Sequence, residues 1–300
     1  MNQLMKILRP ESATESYADL PDRLIAIYTR TRPPRKRVYN RLVNTCTHLL
    51  LNEDPALRPR DARGRSGGIV NLHTDRDTII VPDLHGRMDL ILNLLFHVDV
   101  DNKTILEQLI YSEVQIVCVG DGMHAEARAA ERWQKAREEF IGGYWRHRHM
   151  DAEMRESLGV MQMVMELKGA FPDRFHYLKG NHDNILNERG NGNYPFMKFA
   201  LEGPMVTAYM HRFYGAGLLH AYADFERNLP LLAIGSGFLI SHAEPTRAFE
   251  RDAVLNYRER PDVVEGLTWT ADGQADSNAV SGMLRAYLPP DEHSRALHFG

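Results

Sequence analysis

The stretch Thr78-Ile79-Ile80-Val81-Pro82-Asp83-Leu84-His85-Gly86-Arg87 decides the reading of this chain. Residues 78–81 form a β-branched run of the kind that buried strands carry. An Asp, one spacer and a His follow at its C-terminal end, and Gly86 turns the chain toward a helix expected over residues 88–96. Strand ends that feed helices are where α/β folds place ligands. An Asp and a His two residues apart at such an end can both reach one metal ion. The same arrangement recurs in Val117-Cys118-Val119-Gly120-Asp121, in Tyr177-Leu178-Lys179-Gly180-Asn181-His182-Asp183 and in Phe238-Leu239-Ile240-Ser241-His242-Ala243. Four strand ends bearing oxygen or imidazole ligands point to a two-metal hydrolytic centre.

Around these segments strands and helices alternate from Thr78 onward, which indicates βαβ construction about a central sheet and an α/β fold. Residues 1–60 read as an N-terminal helical segment, with helix-start signals at Leu20-Pro21-Asp22 and apolar spacing over 24–28 and 42–51. The arginine-rich run 30–37 around Pro33-Pro34 reads as a solvated loop, because it lacks the interleaved aromatics of a single-strand nucleic-acid groove. Residues 61–300 make the main domain. Within it, 122–157 reads as a helical insertion, with one helix over 125–140, a Gly142-Gly143 break and a second helix from Asp151. Residues 158–168 continue it as a core-facing helix; further helices are expected over 194–201 and 205–213, a strand over 175–178, and a hairpin over 231–240 turning at Gly235-Ser236-Gly237.

A length of 300 residues is ample for a sizeable core. A net charge of −4 gives no whole-chain field that favours nucleic acid. The two cysteines, Cys46 and Cys118, lie far apart, and Cys118 sits within an apolar strand, so no disulfide framework is expected and a reducing, cytoplasmic compartment fits. Met1 to Pro10 is too short and polar for a secretory leader, and no apolar run reaches membrane-span length.

One carboxylate shared by two ions is the centre of a two-metal site, and Asp121, on the middle strand end, is the candidate. Asp83 and His85 complete the first metal's shell; Asn181 and His242 serve the second. Mixed nitrogen and oxygen ligands suit Mn, Fe or Zn better than Ca or Mg. Two such ions hold a phosphate oxygen and acidify a bridging water, which attacks phosphorus in line. His182, beside Asn181, can protonate the leaving oxygen.

Asp83-x-His85-Gly86, Gly120-Asp121, Gly180-Asn181-His182-Asp183 and Ser241-His242-Ala243 resemble the successive motifs of the calcineurin-like metallophosphoesterases. The match is closest to the phosphoprotein-phosphatase branch, which includes serine/threonine phosphatases and diadenosine tetraphosphatases. Phe171-Pro172-Asp173-Arg174-Phe175, Leu229-Pro230-Leu231 and Leu267-Thr268-Trp269-Thr270-Ala271-Asp272 extend the resemblance over roughly 41–300. It implies a four-layer fold, a central β-sandwich flanked by helices, with a dinuclear metal site at the strand C-terminal edge. It assigns Asp83, His85 and Asp121 to the first metal, Asp121, Asn181 and His242 to the second, and the acid to His182. Arg260 falls where the phosphatases carry a phosphate-binding Arg; Arg87 and His124 are further candidates for substrate contact.

The chain departs from the branch at three places. Pro82 stands where Gly or Ser usually precedes the first Asp. His124 and Ala125 replace the Asp-Arg of the second motif; Glu126, Asp183 or an acid of the insertion are the candidates to orient His182 in its place, and Arg128 and Arg132 those to restore the phosphate contact. The insertion carries Trp133, Tyr144, Trp145, His147 and His149, which suggest a substrate lid. For the family's last His ligand the expectation is that it lies beyond Gly300; the alternatives are that His298 substitutes or that the second metal site is weak. The resulting expectation is a metal-dependent phosphoesterase acting on a phosphoprotein or nucleotide, using a metal-bridging hydroxide and no membrane partner, with the oligomeric state open. The alternatives are a dinucleoside polyphosphate hydrolase, a phosphodiesterase or nuclease, and a catalytically impaired phosphate-binding module.

Overall fold

A computed structural model describes residues 17–300. The reading of Met1 to Pro10 and the start of the 1–60 segment lie outside the described residues. The chain order is α1 (Leu20–Thr29), α2 (Lys36–Leu51), β1 (Ile69–Asn71), β2 (Asp77–Val81), α3 (Met88–Leu95), α4 (Ile105–Ile110), β3 (Val114–Cys118), α5 (Ala130–Ile141) and α6 (Arg148–Ala170). Then come β4 (Phe175–Tyr177), α7 (Glu202–Tyr209), a π-helical turn (Met210–Tyr214), α8 (Gly215–Arg227), β5 (Leu232–Gly235), β6 (Phe238–Ser241), α9 (Arg251–Leu255), α10 (Pro261–Thr268), α11 (Ala279–Tyr287) and β7 (Leu297–Phe299).

Two sheets form. The first is parallel, in the order β2-β3-β4; the second is mixed, in the order β1-β5-β6-β7. The two-residue period of a strand sorts their side chains into layers. Ile116 and Cys118 of β3 join the core shared with the helices α2, α3, α6 and α8. Val117, between them, meets Val70, Ala233 and Ile240 of the second sheet in an apolar layer between the sheets. Ile69, Leu232 and Leu239 point the other way, onto Val254, Val264, Leu267 and Met283 of α9, α10 and α11. Each sheet therefore has helices on its outer face and a sheet on its inner face.

Register positions the site. Val81 pairs with Cys118, and Cys118 with Tyr177, so all three parallel strands end level. The loops carrying Asp83, Asp121 and Asn181 leave from one edge, and His242 follows β6 directly. The loops after β2 and β3 stay joined, because His85 N–H donates to the Asp121 carbonyl at 2.7 Å and Gly86 N–H to the Gly122 carbonyl at 2.8 Å.

Several expected elements differ. Residues 194–201 are not helical: Pro195 lacks an N–H, Phe196 N–H bonds to the Asn187 side chain, and the N–H groups of Lys198, Phe199 and Ala200 bond to the Glu202 carboxylate. The helix expected from Met205 begins at Glu202 and passes through the π-helical turn before α8 runs on to Arg227. Residues 125–129 stay outside the α-helix expected over 125–140, since Glu153 binds Ala125 N–H and the Trp133 indole binds its carbonyl. The helix expected from Asp151 and continuing through 158–168 is α6, which begins three residues earlier at Arg148; in it Gly159 allows Met88 Sδ to approach where a Cβ would stand 2.5 Å away. This helix crosses residue 157, the expected end of the insertion.

Candidate metal-binding site

Asp121 is the focus of the strand edge. It is 2 % exposed, and its backbone is left-handed, with φ 52°. His85 and His124 are also left-handed, at φ 40° and 63°. Such residues cost about 1–3 kcal/mol each and persist where the surroundings dictate them. Here the surroundings are dense. Gly180 N–H and Asp121 N–H both donate to Asp183 Oδ2, at 2.7 and 3.3 Å, and Gly122 N–H donates to the Tyr177 hydroxyl at 2.6 Å. His182 N–H donates to Asp121 Oδ1 at 2.8 Å. A Cβ on Gly180 would lie 2.1 Å from Asp121 Oδ1, and one on Gly120 would lie 2.5 Å from Gly180 N, so neither glycine leaves room for a side chain.

The structure gathers Asp83, His85, Asp121, Asn181, His182 and His242. Asp121 Oδ2 stands 3.9 Å from His85 Nε2, 3.8 Å from His182 Nδ1 and 3.7 Å from His242 Nε2. Asp83 reaches His85 Nε2 at 3.8 Å with one oxygen and His242 Nδ1 at 3.5 Å with the other. Two ligand groups of metal-binding size result, His85–Asp121–His182 and Asp83–Asp121–His242, and they share Asp121. His182 therefore faces a possible metal as well as a leaving group, a second role that the sequence reading did not assign.

The polar atoms of this edge fit a cation. His242 Nδ1 lies 3.0 Å from the Val119 carbonyl and Nε2 3.1 Å from Asn181 Oδ1. A neutral imidazole has one N–H for these two acceptors. With that N–H on Val119, two lone pairs face each other at Asn181, which a cation between them satisfies. His182 Nδ1 is buried with no hydrogen-bond partner. Burial, then Asp183 and Asp83, push the Asp121 carboxyl well above the usual range, the signature of crowded carboxylates without a counter-charge. Burial first, and then the neighbouring His124, His85 and His242, hold His182 far below the ordinary imidazole range.

The expected replacements for the missing Asp-Arg are elsewhere. Asp183 is turned to the Asp121 and Gly180 amides and to Tyr177, not to His182. Glu126 Oε1 lies 3.8 Å from His85 Nε2 and 2.5 Å from Lys198 Nζ. Glu153 and Glu156 bind Arg132, and Glu156 also binds Arg128, whose other nitrogen donates to the His85 carbonyl at 3.0 Å. Among the described residues, Asp121 is the carboxylate within 4 Å of a His182 ring nitrogen. His124 is 3 % exposed, both its nitrogens lack partners, and burial pushes it down to about 3. It sits in an aromatic cluster with Trp133, His182 and Phe196. The Phe196 ring lies 3.6 Å from that of His182, a contact hidden from a reading of 194–201 as helix. Arg87 and Arg260 pair instead with Asp89 and Asp262, each two residues on.

The aromatics of 122–157 correct the expectation of a stacking lid. Trp133 is fully buried, and Tyr144 is buried with its hydroxyl on the Met205 carbonyl. His147 and His149 pair with Asp151 and Glu139. Trp145 alone of these points outward, 91 % exposed. His298, in β7, accepts or donates at 2.9 Å with Ser241.

In the order of its motifs and their meeting at one strand edge, the chain resembles the phosphoprotein-phosphatase branch of the calcineurin-like metallophosphoesterases. Among solved structures it is similar to a protein serine/threonine phosphatase from Saccharomyces cerevisiae with similarity to human phosphatase PP5, at 15% identity and a TM-score of 0.47, over 84% of this chain and 68% of that one. It is also similar to the cold-active protein-tyrosine phosphatase of the psychrophile Shewanella sp., at 14% identity and a TM-score of 0.38, over 72% of this chain and 65% of that one, just under two thirds. No family model matches the sequence, and no curated protein matches it. No helix among the described residues is long and apolar enough to cross a membrane.

Proposed function

We propose that this protein is a metal-dependent phosphoesterase of the phosphoprotein-phosphatase kind. The observation that carries the reading is the single buried carboxylate, Asp121, shared by two ligand groups at the end of the middle parallel strand. Asp121 would be shared by two divalent ions, His85 serving one and Asn181 and His242 the other, with Asp83 within 4 Å of both His85 and His242; the nitrogen–oxygen donor set suits Mn, Fe or Zn. The chemistry such ions supply is neutralisation of phosphate charge and a water acidic enough to attack phosphorus near neutral pH.

The chain's own groups then orient and exclude. The Asp183 carboxylate fixes the Asp121 and Gly180 loops against each other. The Val119 and Met123 carbonyls face the Nδ1 atoms of His242 and His85, at 3.0 and 3.4 Å, which leaves each Nε2 turned inward. Phe196 covers the His182 ring, and an arriving phosphate would bring the negative charge that lets this buried imidazole carry a proton and pass it to the leaving oxygen. Two cytosol-compatible thiols, Cys46 and Cys118, are free and buried, consistent with an intracellular enzyme acting on phosphoproteins or nucleotides.

The test is hydrolysis of p-nitrophenyl phosphate and bis-p-nitrophenyl phosphate by metal-stripped protein after Mn is restored. Asp121→Asn and His182→Ala serve as controls. Metal-dependent turnover that falls in both variants supports the reading, and the monoester-to-diester ratio selects the substrate class. Absence of turnover together with absence of Mn binding refutes it.

A further inference from the structure

A phosphate group arriving among Asp83, Asp121 and Glu126 needs a cation from the protein as well as bound metal, since three carboxylates line its approach. Four arginines lie near enough in sequence to be considered, and each has another task. Arg132 is bound to the fully buried Glu153, and Arg128 to Glu156 and the His85 carbonyl. Arg87 and Arg260 are paired with Asp89 and Asp262, carboxylates that belong to neither ligand group.

Lys198 differs in where its partner stands: it pairs with Glu126, and that carboxylate lies 3.8 Å from His85 Nε2. Lys198 is thus one side chain from the cluster. The pair is half exposed, 51 % and 35 %, so it exchanges partners at small cost. The backbone beneath it is fixed. Glu202, fully buried, accepts from the N–H groups of residues 198, 199 and 200, at 2.9, 2.5 and 2.9 Å. Phe196, two residues earlier, is seated on His182. The Gln134 side chain of α5 holds the Phe199 carbonyl. A mobile ammonium on a braced loop at the mouth of the site is suited to follow a phosphate oxygen.

We infer that Lys198 is the substrate-binding cation of this site, exchanging Glu126 for the non-bridging oxygens of a phosphate monoester. The inference rests on the phosphoesterase reading and adds to it a specificity-determining residue outside every motif. The preference for a monoester follows, since a monoester dianion offers the lysine one more charged oxygen than a diester.

The experiment uses the full chain loaded with Mn, with Lys198→Ala and Lys198→Arg. Inorganic phosphate is titrated by calorimetry, and p-nitrophenyl phosphate kinetics are measured alongside. Losing one charge-assisted contact weakens binding roughly 10- to 100-fold. The expected result is that Lys198→Ala weakens phosphate binding and raises KM by that factor, with kcat within about threefold, and that Lys198→Arg recovers most of both. Phosphate affinity and KM unchanged in Lys198→Ala, in an active enzyme, overturn the inference and leave the phosphoesterase reading standing. A wild-type protein that neither binds phosphate nor turns over overturns both.

Discussion

Removing the charge of Glu53 should cost this protein a large fraction of its stability. Glu53 follows α2 and is almost wholly buried. Its carboxylate bonds to Lys168 Nζ of α6 at 2.6 Å and to Arg58 Nη1 at 2.8 Å. The cations have further partners: Lys168 bonds the Pro172 carbonyl, and Arg58 the carbonyls of Gly67 and Asn228. Burial alone would raise the Glu53 carboxyl, but Lys168 and Arg58 outweigh it and hold it at about 2 against an ordinary 4.5. That fall corresponds to about 3 kcal/mol of interaction with the charged form. Breaking a buried pair from one side costs about 3–5 kcal/mol in general, so the two routes agree. Glu53→Gln leaves two buried cations without a counter-charge and should lower unfolding free energy by about 3 kcal/mol at pH 7. Lys168→Met in the same background should restore part of it. The folded pKa lies below the unfolded one, so the contribution is complete above pH 4.5 and fades as pH falls toward 2. Urea unfolding of both proteins from neutral to acid pH provides the assay. A difference below about 1 kcal/mol, the worth of an exposed pair, or one that does not shrink in acid, refutes the reasoning.

Three other outcomes are expected. Mn added to stripped protein should raise the unfolding temperature of the wild type, by about 2.7 kcal/mol of stability at a hundredfold excess over Kd, and should leave Asp121→Asn unchanged in a thermal-shift assay. Gly180→Ala, whose Cβ would stand 2.1 Å from Asp121 Oδ1, should keep the far-ultraviolet spectrum of a folded protein yet lose that response to Mn. Glu202→Ala should release the amides of Lys198, Phe199 and Ala200; hydrogen exchange at those three should quicken at least about tenfold, equal to about 1.4 kcal/mol of local protection, while amides of β3 keep their rates.

The parallel strands and their loops were legible because each announces itself locally. A buried apolar run followed by Asp, Asn or His needs no distant partner to be recognised, and Asp83, His85, Asp121, Asn181, His182 and His242 do meet. Helix limits between 122 and 214 were not legible, because distant side chains set them. Glu153 and Trp133 take the backbone groups of Ala125, and Glu202 takes three amides that a helix would have used internally. Gly159 lies inside α6 and serves as the place where that helix comes close to Met88. Trp133 and Tyr144 carry the composition of a binding surface and are core residues, since amphipathic aromatics serve both purposes and spacing does not separate them. Lys198 has no signal of its own; its position depends on Glu202 and on a loop whose periodicity imitates a helix.

The distances along the chain between the gathered ligands bear on the order in which the molecule assembles. Asn181 and His242 meet across 61 residues, and Val119 and His242 across 123. Closing loops of this length costs chain entropy before any contact compensates for it, and such contacts form late in folding. A nascent chain whose first sheet is complete already presents Asp83, His85, Asp121 and Asn181. His242 arrives only with the hairpin of β5 and β6, which belongs to the other sheet. A chain at that stage therefore offers an incomplete cage, and if the site holds metal as proposed, firm retention would mark finished molecules off from those still folding.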